Sequence, residues 1–194
     1  MAVLSQWRRP GQLAVELRRA ELIGQPAIPI ENASWVNGST LTPEELKGKV
    51  VLLDFWAVWC GPCIATFPHL REWRDKYSDR GLVILGVTQH YGYGWDEVDQ
   101  RPVRVENISQ ADEQAAMVQF AKHHQLEHTF AVMPSSDLAR KYGVTGIPQA
   151  VVVDRKGVVR LIRVGSGEQN AKDLEEMIET ALAEPVPAAA TGGP

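Results

Sequence analysis

The chain has 194 residues, enough for one domain with embellishments and too few for two full ones. Its 20 Lys and Arg against 24 Asp and Glu leave a net charge of −4, which supplies no basic face for nucleic acid, and 44% apolar residues argue against global disorder. The most apolar stretch, residues 50–60, is broken by Asp54 and is far too short to cross a bilayer, so a soluble chain without a membrane span is expected.

Residues 1–29 read as an N-terminal helical appendage and linker. Leu13, Leu17, Ala20 and Ile23 recur near helical spacing between Pro10 and Gly24, and Gln25-Pro26-Ala27-Ile28-Pro29 reads as extended. Asn37-Gly38, between Ser34-Trp35-Val36 and Ser39-Thr40-Leu41, is the signal of a tight hairpin. Thr42-Pro43-Glu44-Glu45 supplies a cap, a proline and a glutamate in the order that starts a helical turn, ending near Gly48. The run Val50-Val51-Leu52-Leu53-Asp54-Phe55-Trp56 predicts a strand buried on both faces. Residues 62–77 predict a helix with Leu70, Trp73 and Tyr77 on one stripe and a kink at Pro68. Leu82-Val83-Ile84-Leu85-Gly86-Val87 then completes a right-handed βαβ unit.

Residues 89–108 read as an unusually long loop. Ser109 follows as the cap of an insertion helix, with Asp112 and Glu113 in its first turn and Met117, Phe120 and Ala121 as its buried stripe. Next come Ala131-Val132-Met133 and a short helix through Leu138 to Tyr142. Residues 150–153 and 158–164 form an antiparallel hairpin around Asp154-Arg155-Lys156-Gly157. Leu174, Met177, Ile178 and Ala181 stripe a last helix with Asn170 as its cap. Residues 30–183 thus read as one domain, and residues 184–194, rich in Pro, Ala and Gly, as a disordered tail.

The chain has only two cysteines, and they form Cys60-Gly61-Pro62-Cys63. No second pair exists for a four-cysteine zinc site or a disulfide framework. The pair is therefore either redox-active or two incidental core thiols. Cys60 falls where a strand ends and a helix begins, and the free N–H groups there favour a thiolate. Cys63 is nearly one turn further on, within reach of a disulfide. Cys60 reads as the exposed attacking thiol and Cys63 as the buried resolving one.

The stretch Phe55-Trp56-Ala57-Val58-Trp59-Cys60-Gly61-Pro62-Cys63 resembles the active-site segment of thioredoxins, and the order of elements over residues 30–182 resembles the TlpA-like branch of the thioredoxin-fold superfamily. The resemblance implies an α/β thioredoxin fold, a central mixed sheet flanked by helices, with an N-terminal β-hairpin extension and a central helix-strand insertion. It implies a thiol-disulfide oxidoreductase acting on protein disulfides. No cofactor is expected, because electrons pass through the Cys60–Cys63 disulfide itself. Asp54 takes the place of the buried carboxylate, whose burial raises its pKa and suits it to accept the Cys63 proton. Lys141-Tyr142-Gly143-Val144-Thr145-Gly146-Ile147-Pro148 resembles the cis-proline segment. A cis Ile147–Pro148 bond there would expose backbone to an extended substrate, with Trp59, Gly61 and Pro62 completing the substrate surface and Trp56 helping Trp59 to frame the sulfur.

The implied partners are a disulfide-containing protein and an upstream electron donor, with the chain itself a monomer. Family members are usually extracytoplasmic or membrane-anchored, whereas the bare chain, with Met1 as its native start, reads as cytoplasmic. The Gly-Pro dipeptide resembles the reducing end of a scale that runs from about −270 mV for thioredoxin to about −120 mV for DsbA, which favours a disulfide reductase. Two departures stand out. Thr66 replaces the glutamate that relatives serving cytochrome maturation carry, and Leu85-Gly86-Val87 lacks the lysine that pairs with the buried aspartate in many thioredoxins.

Tyr91, Tyr93 and Trp95 are candidates for a partner-binding rim, or else an aromatic loop packed over the insertion helix. His124 and His128 have helical i, i+4 spacing, but without a third ligand they and His123 read as a solvated helix face, and no metal is expected. Two other functions compete. A thiol peroxidase of the peroxiredoxin type shares the fold, but residues 55–60 lack its Pro-x-x-x-Thr/Ser-x-x-Cys setting. A non-enzymatic metal carrier would use both thiolates, with a proline loop beside Cys60 counting against it.

Overall fold

The computed structural model describes residues 10–187. They begin with α1 (Pro10–Leu22) and β1 (Ser34–Val36). Thr42 caps α2 (Pro43–Leu46): its hydroxyl accepts the Glu45 N–H at 3.2 Å, while the Glu45 carboxylate accepts the Thr42 N–H at 2.8 Å. β2 (Val50–Phe55) is buried at every residue. α3 (Gly61–Ile64), α4 (Phe67–Tyr77) and β3 (Leu82–Gln89) follow. β4 (Tyr93–Asp96) and β5 (Arg101–Arg104) pair with each other, and α5 (Gln110–His123) lies beyond them with Ser109 as its cap. β6 (Thr129–Met133), α6 (Asp137–Lys141), β7 (Gln149–Val153), β8 (Val159–Val164) and α7 (Glu168–Ala183) complete the domain.

Six strands make one sheet in the order β1-β6-β3-β2-β7-β8. β2 and β3 are parallel, as are β3 and β6, whereas β1–β6, β2–β7 and β7–β8 are antiparallel. This is the thioredoxin-like mixed sheet flanked by helices. Because side chains alternate along a strand, β2 feeds two cores. Val50 and Leu52 join Leu70, Trp73, Phe120 and Ile178 of α4, α5 and α7. Val51, Leu53 and Phe55 join Leu138 and Tyr142 on the other face, together with Leu22 of α1. Asp54 has the parity of Val50 and Leu52, so it faces the α4 and α7 side. Among the described residues no helix is long and apolar enough to cross a membrane.

The hairpin expected at Asn37-Gly38 lacks its second strand. β1 pairs with β6 instead, and the Asn37 amide donates to the carbonyls of Leu126 and His128, both at 2.9 Å. A Cβ on Gly38 would run into the Thr129 hydroxyl, so this turn fastens β1 to the start of β6. The extra hairpin lies instead at β4–β5, in the stretch that reads as a long loop. Asn170 does not cap α7; Gly167 holds that position, and the Asn170 amide donates to the Val164 and Gly165 carbonyls.

Ahead of β1, Gly24 donates to Val159 O at 2.8 Å and Ala27 to Gly157 O at 2.8 Å, while Val159 donates to Gln25 O at 2.9 Å. The beginning of the expected appendage, residues 1–9, and the tail from residue 188 onward lie outside the described residues.

Candidate redox site

β2 delivers the chain through residues 56–59 to Cys60, which caps α3 in extended conformation. Cys60 and Cys63 are joined as a disulfide with their Cα atoms 5.2 Å apart. The Cys63 N–H donates to Cys60 Sγ at 3.2 Å, and Cys60 O accepts the N–H groups of Cys63 and Ile64 at 3.0 and 3.1 Å. The expected single helix is two pieces. Pro68 has no N–H, and its ring would collide with the Ile64 carbonyl in a continuous helix, so the helix breaks at residues 65–66 and restarts with Pro68 in its first turn. The Thr66 hydroxyl turns back to donate to Cys63 O at 2.7 Å.

The expectation of an exposed Cys60 needs correction: in the disulfide it is only 3% exposed, and Cys63 is 0% exposed. Access is asymmetric but narrow, and the exposed residues around the pair are Trp59, Gly61 and Pro62. Trp56, only 2% exposed, adds no outer surface beside the sulfur. It is buried among Phe67, Phe120 and Phe130, with ring centroids 6.1, 5.3 and 4.8 Å away.

Asp54 lies opposite Gly86 on β3 and Ala150 on β7. It is buried, its Oδ2 has no hydrogen-bond partner among the described residues, and burial raises its pKa to about 7. The missing lysine has a steric counterpart. A Cβ on Gly86 would sit 2.7 Å from both Phe130 Cδ1 and Trp56 Nε1, so the aromatic cluster occupies the room that a side chain there needs. A crevice of about 20 Å³ joins Asp54 to Thr66, His69, Pro148, Ser166 and Asn170, which is space for one water.

The Ile147–Pro148 bond is cis, and Ile147 packs against both cores. The loop ahead of it is held by α1: Arg19 donates to Gly143 O at 3.0 Å and to Thr145 Oγ1 at 3.1 Å.

The three candidate rim aromatics divide. Tyr91 meets Trp59 edge-on, with centroids 5.4 Å apart and planes at 87°. Trp95 packs on Phe120 and His123 of α5, and Arg104 lies over the Tyr93 ring. Glu113, which the sequence marks only as a first-turn acid, is buried and reaches back across the insertion to the backbone of Tyr91, Gly92 and Tyr93. Its partners lie twenty or more residues away, so no local pattern announces them.

Of the three histidines only His123, the last residue of α5, is an exposed helix position; the other two leave the helix and are not a solvated face. Helix α5 ends at His123, and Gln125, at φ 56°, turns the chain away. His124 packs on Phe67 and Phe120, and His128 is buried against Phe130; burial pushes each pKa down to about 4.

The chain matches the Redoxin family over residues 24–178. Thiol-disulfide oxidoreductase ResA of Bacillus thuringiensis is 26% identical over 144 residues, covering 74% of this chain and 70% of the relative. Thioredoxin-like protein YneN of Bacillus subtilis is 27% identical over 158 residues, covering 80% and 78%. Among solved structures, a candidate thiol:disulfide interchange protein DsbE from Chlorobium tepidum is similar at a TM-score of 0.62 and 30% identity, covering 83% of this chain and 98% of that one. A thiol-disulfide isomerase from Corynebacterium glutamicum shares the fold at a TM-score of 0.64 and 20% identity, covering 82% and 97%.

Proposed function

The chain belongs to the Redoxin family, and on that premise we propose that it reduces disulfides in protein substrates, with Cys60 attacking and Cys63 resolving. It is a ResA- and TlpA-like thiol-disulfide oxidoreductase that works by dithiol–disulfide exchange. The order of attack rests on one observation: Cys60 caps the turn, accepts the Cys63 N–H through its sulfur and keeps the pair's only exposure. In the reduced protein that N–H favours a thiolate on Cys60.

The Cys60 thiolate attacks one sulfur of the substrate disulfide, and the other leaves with its electron pair and takes a proton from solvent. Cys63 then gives its proton to the Asp54 carboxylate, directly or through one water, and its thiolate attacks Cys60 Sγ. The bond from Cys60 to the substrate breaks, and the second substrate sulfur leaves as a thiolate that solvent protonates. Two electrons have passed to the substrate, and the Cys60–Cys63 disulfide remains, to be reduced by an upstream dithiol donor. Trp59, Gly61 and Pro62 form the outer surface at the sulfur. The backbone at Ile147 and cis Pro148 offers pairing to an extended segment, and Tyr91 extends the rim beside Trp59. The Gly-Pro dipeptide supports the reducing direction.

Trapping tests the roles. Cys63→Ser should accumulate mixed disulfides with native partners and Cys60→Ser should not; equal trapping by both variants overturns the assignment. A reduction potential near about −120 mV, rather than near about −270 mV, would reverse the direction.

A further inference from the structure

We propose that Glu113 is a positioning residue for polypeptide substrates: it fixes the backbone of residues 91–93 and thereby sets the Tyr91 ring against Trp59 at the lip of the redox site. The inference rests on the reading of Tyr91 and Trp59 as part of the substrate rim.

Burying a carboxylate is costly unless its oxygens find donors, and Glu113 is only 3% exposed. Its Oε1 accepts three consecutive backbone N–H groups, from Tyr91 and Gly92 at 2.8 Å and from Tyr93 at 3.0 Å. Successive N–H groups converging on one acceptor make an anion nest, and Gly92, at φ 80°, supplies the left-handed residue that curls them inward. The other carboxylate oxygen faces His90 Nδ1 at 3.5 Å. Asp112, next to it in the same first turn, merely closes the cap by accepting from the Ser109 hydroxyl at 2.7 Å. Stabilising α5 therefore does not require Glu113 to turn inward.

Tyr91 lies between the end of β3 and the start of β4, so neither strand fixes it. Its own N–H and those of Gly92 and Tyr93 tie this segment to Glu113, and its ring meets Trp59, which is 47% exposed and directly precedes Cys60. A small disulfide needs to bring only a sulfur to Cys60. A polypeptide lays its flanking residues across the Trp59–Tyr91 pair, whose apolar faces select an aliphatic or aromatic side chain beside the substrate disulfide.

The test compares two probes: a disulfide-cyclised peptide with Leu beside its first cysteine, and oxidised glutathione. Glu113→Gln keeps size but weakens three charge-assisted bonds, and is expected to raise KM for the peptide about fivefold with kcat unchanged. The glutathione rate is expected to stay within about twofold of wild type. Tyr91→Ala is expected to have the same signature, and the double variant should be no worse than Tyr91→Ala alone. Glu113→Asp, which keeps the charge but draws the carboxylate back, is expected to behave likewise and serves where Glu113→Gln fails to fold. If Tyr91→Ala leaves peptide kinetics unchanged, the rim reading fails. If Tyr91→Ala raises KM but the Glu113 variants do not, or the two effects multiply, Glu113 does not act through Tyr91 and the proposal is overturned. Equal losses on peptide and glutathione also overturn it.

Discussion

Replacing Asp54 by asparagine removes the one buried carboxyl that the redox chemistry is expected to use, and stability should register the change as a function of pH. Burial lifts the Asp54 pKa from its ordinary 3.8 to about 7, so between those limits the folded chain holds a proton that the unfolded chain has lost. Folding stability therefore falls as pH rises through this window and levels off above pH 7. At roughly 1.4 kcal/mol per decade, the span amounts to about 4 kcal/mol. Asparagine keeps the shape and never ionises. Urea unfolding of the oxidised protein at pH 4, 5.5, 7 and 8.5 gives the difference between wild type and Asp54→Asn. Taking the difference cancels opposing trends from groups such as His128. The asparagine contributes a constant offset from its own unmet hydrogen bonds, and on top of it the variant should gain about 4 kcal/mol over wild type from acid to alkaline pH. A difference that stays flat from pH 4 to 8.5 would refute the desolvation argument and, with it, the reason for expecting Asp54 to take a proton near neutrality.

Two further outcomes follow from the packing. Gly86→Ala places a methyl 2.7 Å from Phe130 and Trp56, and chemical denaturation should show a loss of about 1–3 kcal/mol; an unchanged midpoint would mean the aromatic cluster yields freely. His128 is held neutral, its pKa pushed from 6.5 to about 4 chiefly by burial and secondarily by Arg74, so the unfolded chain takes up the proton first as pH falls. Wild type should lose about 3 kcal/mol relative to His128→Gln between pH 7 and 4, and a difference independent of pH would contradict that burial.

Where one local rule dominates, the sequence was enough. The nearly continuous apolar run of β2, the helix caps at Thr42 and Ser109 and the Cys-x-x-Cys turn all form where their residues put them. Asn37-Gly38 misled because two backbone carbonyls from the approach to β6 outbid a turn back onto β1; their arrival is a tertiary event. β4–β5 stayed hidden because Arg101–Arg104 contains a proline and buries no residue, so it shows no alternation to read. The burial of His124 and His128 depends on Phe67, Phe120 and Phe130 converging from three separate segments. Within the site, the cysteines and the cis proline carry a motif, whereas the Glu113 contacts and the crevice at Asp54 exist only once α5 and α7 have docked.

The short stretch from Gly24 to Ala27 has a protective consequence. Strand β8 borders the sheet on one side, and an open border of that kind recruits strands from other molecules. The hydrogen bonds from residues 24–27 to Gly157 and Val159 shield the first part of that border, and the charged Arg160 and Arg163 further along discourage stacking. Expression of a fragment trimmed at residue 30 would keep both sulfurs and Pro148 in the chain, yet would bare that border and so favour self-association.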